Sequence, residues 1–248
     1  MSAELQMRSL RRLVRAVIFE TGCSDCPLST AGTAFLLSSG PKTFVITAKH
    51  VVGDYPPDRL RVYQSDHTAT PLPIRDFFRV NAGEPGGEVE DLLVLEVEPI
   101  SRDQQDAEVS ICIDPMADAW HEFKDTAHYF LIGYPEPMSF VDYEESVIHS
   151  GQVLLAGRYV GISAGLPHCH DLRVDNPLAV SNFSGFSGAP VFSLHDRLAM
   201  PSILAFCGMA LQGTASSGLA RFLDCTIIQS VMDEVHQPAL QRRIHRDA

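Results

Sequence analysis

Short runs rich in Val, Ile, Leu and Phe, closed off by clusters of Gly, Pro, Asp and Ser, recur along almost the whole chain. They are Leu13–Phe19, Thr33–Leu37, Phe44–Thr47, Leu92–Val97, Val109–Ile113, Tyr129–Ile132, Gly151–Leu155 and Ile203–Met209. Turn clusters such as Tyr55-Pro56-Pro57-Asp58 and Gly83-Glu84-Pro85-Gly86-Gly87 separate them. β-Branched and aromatic side chains suit a pleated surface, whereas Gly and Pro interrupt its ladders. Many such runs at close spacing predict an all-β sandwich or barrel. Helical spacing emerges only near the end, where Ile228, Val231, Met232 and Val235 share one face of the segment Cys225–Leu240. With 248 residues and 45% apolar content, the chain can bury one large core or two small ones that share an interface. The same figures exclude a disordered tail, a collagen-like repeat and a disulfide-stapled miniprotein. A polar stretch, Asp118–Thr126, parts two strand-rich halves, and a ligand cleft is expected where the halves meet.

Nineteen basic and 31 acidic side chains leave a formal charge of −12. Such a chain repels phosphate backbones, so no nucleic-acid partner is expected. Its arginines gather at the two ends (Arg8, Arg11, Arg12, Arg15, then Arg242, Arg243, Arg246) and read as solvated termini. No run approaches the roughly 18 apolar residues that cross a bilayer. Arginines also interrupt Leu10–Phe19, leaving no secretory core. The expectation is a cytoplasmic protein without a membrane partner. Its six cysteines (Cys23, Cys26, Cys112, Cys169, Cys207, Cys225) are then thiols rather than bridges.

Three segments carry chemistry. Thr47-Ala48-Lys49-His50 follows the strand Phe44-Val45-Ile46; Asp91 opens the strand Leu92–Leu95 after a Gly-rich loop; Gly185-Phe186-Ser187-Gly188-Ala189-Pro190 sets a serine in a glycine-flanked turn. A serine hydroxyl is too weakly acidic to attack a carbonyl unaided, so a neutral imidazole must take its proton. That imidazole needs an acceptor on its other nitrogen to fix its tautomer. The oxyanion that develops needs two backbone N–H donors. His50, Asp91 and Ser187 can serve as base, orienter and nucleophile, with the Gly185 and Ser187 N–H groups as the anion hole.

In this order the segments resemble those of the trypsin/chymotrypsin-type serine peptidases. Gly32-Thr33-Ala34-Phe35-Leu36 resembles the strand before the histidine, and Ile132-Gly133-Tyr134-Pro135 the strand that opens the second barrel in bacterial members similar to glutamyl endopeptidase. Cys207-Gly208-Met209-Ala210 followed by Gly213 is similar to the strand lining the specificity pocket, and Gly218–Phe222 to the one leading into a terminal helix. The resemblance covers roughly residues 30–235. It implies two six-stranded antiparallel β-barrels packed face to face, one over 1–120 with His50 and Asp91, the other over 121–248 with Ser187 and a C-terminal helix. It also implies a serine endopeptidase that works on a protein or peptide substrate through an acyl-enzyme, with no metal or other cofactor. The pocket base is expected from Ser181 and Asn182 and its wall from Cys207, Gly208 and Ala210, none charged, so a neutral, small or apolar P1 side chain is expected. Phe186 stands where animal digestive enzymes have an aspartate that pairs with a freed N-terminus, so activation by N-terminal cleavage is not implied. Ala189 replaces a common glycine. Lys49 stands where a small residue is usual, and nothing in the sequence explains it.

Two alternatives stay open. One is a degenerate relative that keeps the triad but serves as a binding or regulatory module. The other is a non-peptidase acyl hydrolase using Ser163, because Gly161-Ile162-Ser163-Ala164-Gly165 matches a nucleophile-elbow pattern. Pro167 and the polar run His168–Asp171 leave little room for the helix that elbow requires. Cys23-x-x-Cys26 and His168-Cys169-His170 are too loose a set for the four converging ligands of structural zinc. The Cys pair also lacks the βαβ context of a redox motif. A cytosolic peptidase without a propeptide needs control, and the Arg-rich N-terminus and terminal helix are expected to dock a regulatory protein partner, in keeping with a bacterial stress or defence role.

Overall fold

A computed structural model describes residues 9–53, 56–64, 70–79, 87–99, 111–112, 117–145, 147–176, 183–197, 200–214 and 216–236. In chain order the elements are β1 (Val14–Glu20), β2 (Leu28–Ser39), β3 (Lys42–Ala48), α1 (Lys49–Val52), β4 (Leu60–Val62), β5 (Ile74–Arg79), β6 (Leu92–Val97), β7 (Ile111–Cys112) and α2 (Ala117–Phe123). There follow β8 (His128–Gly133), β9 (Ser139–Asp142), β10 (Val147–Ser150), β11 (Val153–Ile162), β12 (Cys169–Val174), β13 (Pro190–Arg197), β14 (Met200–Thr214), β15 (Leu219–Asp224) and α3 (Cys225–His236).

The strands form two units. In the first, six strands in the order β4-β1-β2-β3-β6-β5 make a curled sheet, and β7 adds a parallel pairing to β2. This sheet curls into a half-barrel whose edges are drawn together. Tyr63 bridges Pro71, Gln64 N–H donates to Thr70 O at 3.0 Å, and Leu72 N–H donates to Val62 O at 2.7 Å, tying the end of β4 to the segment that enters β5. The second unit is a closed barrel, β11-β12-β15-β14-β13-β8. The all-β, two-barrel architecture with a terminal helix is therefore what folds. Ile228, Val231, Met232 and Val235 all lie buried along α3, so the helical spacing marks its packed face.

The stretch Asp118–Thr126, polar on paper, contains most of α2, and Trp120 seats α2 on the second barrel. Trp120 is fully buried, edge-on to Tyr129, Tyr159, His170 and Phe222, and donates its indole N–H to Cys225 Sγ at 3.2 Å. Cys169, Cys207 and Cys225 are buried thiols outside any disulfide, and burial pushes the latter two well up. They pack as small apolar residues. Cys23 and Cys26 are exposed free thiols in the β1–β2 loop. The side chain of Cys112 lies outside the described residues. Among the described residues no His/Cys/Asp/Glu group is arranged to hold a metal ion, and no helix is long and apolar enough to cross a membrane.

Asp224 ends β15 and caps α3. Its Oδ1 accepts from Thr226 N–H and Thr226 Oγ–H, both at 2.8 Å, and its Oδ2 from His170 Nε2 at 2.8 Å, with His121 Nε2 at 3.4 Å. Burial pushes its carboxyl up, but the bonds from His170 and Thr226 and the neighbouring His121 outweigh that and hold it below the ordinary value. A depressed carboxyl stabilises the fold above its unfolded value, near pH 4, and loses that contribution as pH falls through the folded value. Asp224→Asn is expected to cost about 1.5–3 kcal/mol at pH 7. The gap to the wild type should shrink below about pH 4, as read by thermal unfolding at the two pH values.

Candidate active site

Strand register brings the first two chemical residues together. β3 and β6 pair with Ala48 opposite Leu92 and Thr47 opposite Leu93, so the residues just past the end of β3 face those just before β6. His50 sits in α1, the single turn that follows β3, and buried Val51 and Val52 hold that turn against the sheet. Asp91 ends the 3-10 turn Glu88–Asp91. Its Oδ2 lies 2.6 Å from His50 Nδ1, and its Oδ1 accepts the His50 backbone N–H at 2.9 Å. The carboxylate thereby fixes both the place and the tautomer of the ring, leaving Nε2 free to accept a proton.

Ser187 comes from the loop before β13, and its position depends on the other sheet. Ser187 O accepts from Thr33 N–H at 3.0 Å, Gly188 N–H donates to Ala210 O at 2.8 Å, and Ala189 N–H donates to Phe186 O at 2.9 Å. Gly188 has φ +84° and Gly185 φ +89°, conformations that L side chains resist. A Cβ on Gly188 would stand 2.0 Å from Thr33 O, and one on Gly185 2.3 Å from Tyr134 O. Among the described residues the N–H groups of Gly185 and Ser187 donate to no protein acceptor, which leaves both available to one anion.

His50, Asp91 and Ser187 line a single cleft of about 550 Å³, together with Leu211, Gly213 and Arg221. In this conformer the Ser187 hydroxyl donates to Leu211 O at 2.8 Å, not to His50. Beneath the serine lies a small hollow of about 10 Å³, bounded by Leu131, Phe183, Phe186, Ala210, Gly213 and Ala220.

Of the expected pocket wall, only Ala210 reaches that hollow. Cys207 is fully buried and Gly208 packs its backbone on Leu223 O, both deeper along β14. Gln212 and Gly213, further along the same strand, line the hollow too. Ser181 and Asn182 lie outside the described residues. Ser163 does not sit on a strand-to-helix elbow: it closes the turn between β11 and β12, is buried, and donates its hydroxyl to Asp171. Arg221 Nε donates to the same Ser163 Oγ at 2.8 Å and to Asp171 Oδ1 at 3.0 Å. No imidazole hydrogen-bonds Ser163 among the described residues.

The residue that sequence reading passed over is Thr33. It is fully buried, its hydroxyl donates to Gly185 O at 2.6 Å, and the same oxygen accepts Tyr134 N–H at 2.9 Å. Its carbonyl accepts the Thr47 hydroxyl at 2.7 Å. One residue, through its hydroxyl and its carbonyl, thus joins the His50 strand, the Ser187 loop and the start of the second barrel. The only hint was its place in the Gly32–Leu36 segment.

No protein-family model matches this chain, and no curated protein matches it. Fold and site geometry therefore carry the functional reading: a double β-barrel of chymotrypsin-like form with an imidazole–carboxylate pair and a serine on its central cleft.

Proposed function

We propose that this protein is a serine endopeptidase of the trypsin/chymotrypsin type. The observation that carries the reading is the His50–Asp91 contact of 2.6 Å in the cleft that Ser187 also lines. In the reaction Ser187 Oγ leaves Leu211 O, gives its proton to His50 Nε2 and attacks the substrate carbonyl. Asp91 stabilises the imidazolium that forms, and the Gly185 and Ser187 N–H groups take the oxyanion. His50 then protonates the leaving amine, and water enters by the same route in reverse to release the acyl group. The chemistry runs on side chains and backbone of this chain.

A hollow of about 10 Å³ beneath Ser187 holds roughly one water. With apolar walls and no charge, it favours Gly, Ala or another small neutral side chain at P1 over Arg, Lys or Glu. The Ser187–Leu211 hydrogen bond favours a second reading, a binding module whose nucleophile is parked. A serine-directed fluorophosphonate separates the two. Labelling mapped to Ser187, and lost in His50→Ala, is the expected result, while an unlabelled Ser187 or a label on Ser163 would overturn the peptidase reading.

A further inference from the structure

We infer that Glu136 selects substrates carrying a cationic side chain just after the scissile bond, an inference that rests on the peptidase reading above. The hollow under Ser187 is walled by β14, so the acyl half of a substrate lies over Ala210–Gly213. The leaving half must then exit on the opposite side of Ser187. A second hollow of about 90 Å³ shares no lining residue with the first: it is bounded by Thr30, Gly32, Tyr134, Glu136, Ser184 and Gly185, and we assign the leaving half to it. It meets the main cleft at Ser184, which lines both, and it abuts the oxyanion donor Gly185.

Glu136 is held there by its backbone, since its N–H donates to Ser184 O at 3.0 Å. Its side chain is exposed and has no ion-pair partner among the described residues. The neighbouring β9–β10 hairpin is also fixed, because Thr30 Oγ–H donates to Ser139 O at 2.8 Å and the Tyr143 hydroxyl donates to Leu28 O. The hollow therefore keeps its shape with a bare carboxylate on its rim. The cation of the cleft's other arm, Arg221, is already engaged by Asp171. One arm thus carries a paired charge and the other an unpaired negative one, and the net charge of −12 adds a long-range attraction for cationic chains. The 90 Å³ hollow has room for the end of one Lys or Arg side chain where the small hollow under Ser187 has none.

The test is cleavage of a synthetic peptide mixture that samples every residue on both sides of the cut, read by mass spectrometry with the full chain. Lys and Arg are expected to be preferred at the first or second position after the cut by about three- to fivefold in kcat/KM over Glu, the scale of a solvent-facing charge pair. The preference should fade as salt is raised toward about 1 M. Glu136→Gln should flatten it and Glu136→Lys should turn it toward Asp and Glu, with P1 selection unchanged in both. Efficient cleavage with the same after-cut profile in wild type and Glu136→Gln would overturn this inference and leave the peptidase reading intact. No cleavage of any peptide, with Ser187 unlabelled, would overturn both.

Discussion

Ser187→Ala is expected to lower kcat by roughly 10⁴-fold or more against a cleavable peptide, with the fold retained. The serine side chain is half-buried and, among the described residues, its one hydrogen bond is to Leu211 O on the cleft, where water can take the place of the lost hydroxyl. What it removes is the covalent step itself. His50→Ala should cost a similar factor, because the unassisted hydroxyl is a poor nucleophile. The double variant should cost little more than either single one, since residues that act as a unit do not contribute additively. Near-multiplicative losses would mean that the two side chains work independently. A Ser187→Ala protein that still cleaves would remove the nucleophile altogether. Circular dichroism and thermal unfolding of each variant confirm that folding is intact.

The largest effect on stability is expected from Gly188→Ala. At φ +84° an alanine carries a backbone cost of about 1–2 kcal/mol. The new methyl would also stand 2.0 Å from Thr33 O and 2.6 Å from Thr47 Oγ. Neither neighbour can retreat easily, because Thr47 Oγ–H donates to that same Thr33 oxygen. The total is expected to exceed about 4 kcal/mol, the range tied to strain and broken buried networks. Gly40 supplies the comparison, with φ +57° and open space where its Cβ would go. Gly40→Ala should cost only the backbone share, about 1–2 kcal/mol. Urea unfolding of the two variants checks the contrast, and equal midpoints would show that the packing around Gly188 is looser than described.

The apolar strands were readable because their signal is local. β1, β2, β3, β6, β8, β11 and β14 each overlap a run of Val, Ile, Leu or Phe. β12 is different: His170 and Asp171 make it look like a turn, and what permits them in a barrel strand lies far along the chain. Asp224, 54 positions on, bonds His170, and Arg221, 50 positions on, bonds Asp171. α2 escaped for a related reason, since a short polar helix with one deeply buried side chain has no periodicity to count. In the site, His50, Asp91 and Ser187 stood out because the chemistry demands those residue types beside strands and a glycine turn. Thr33 did not. Its partners sit 101 and 152 positions away, and a threonine in an apolar strand reads as an ordinary β-former until the second barrel arrives. Of the residues named for the pocket wall, Ala210 lines the hollow by Ser187, and Cys207 and Gly208 do not. Register shifts in the pairings of β14 with both β13 and β15 change which of its residues face Ser187, and such irregularities leave no mark in composition.

The buried threonine at the seam has one further consequence. Its hydroxyl holds the carbonyl of Gly185, the residue whose amide would cradle a reacting oxygen, and it does so from the opposite half of the molecule. Any stress that slides the halves by even an ångström will first spoil that cradle. On the proposed peptidase reading, activity is expected to be lost on gentle heating or in mild denaturant while the spectrum still looks native, which makes it the more sensitive thermometer of the two.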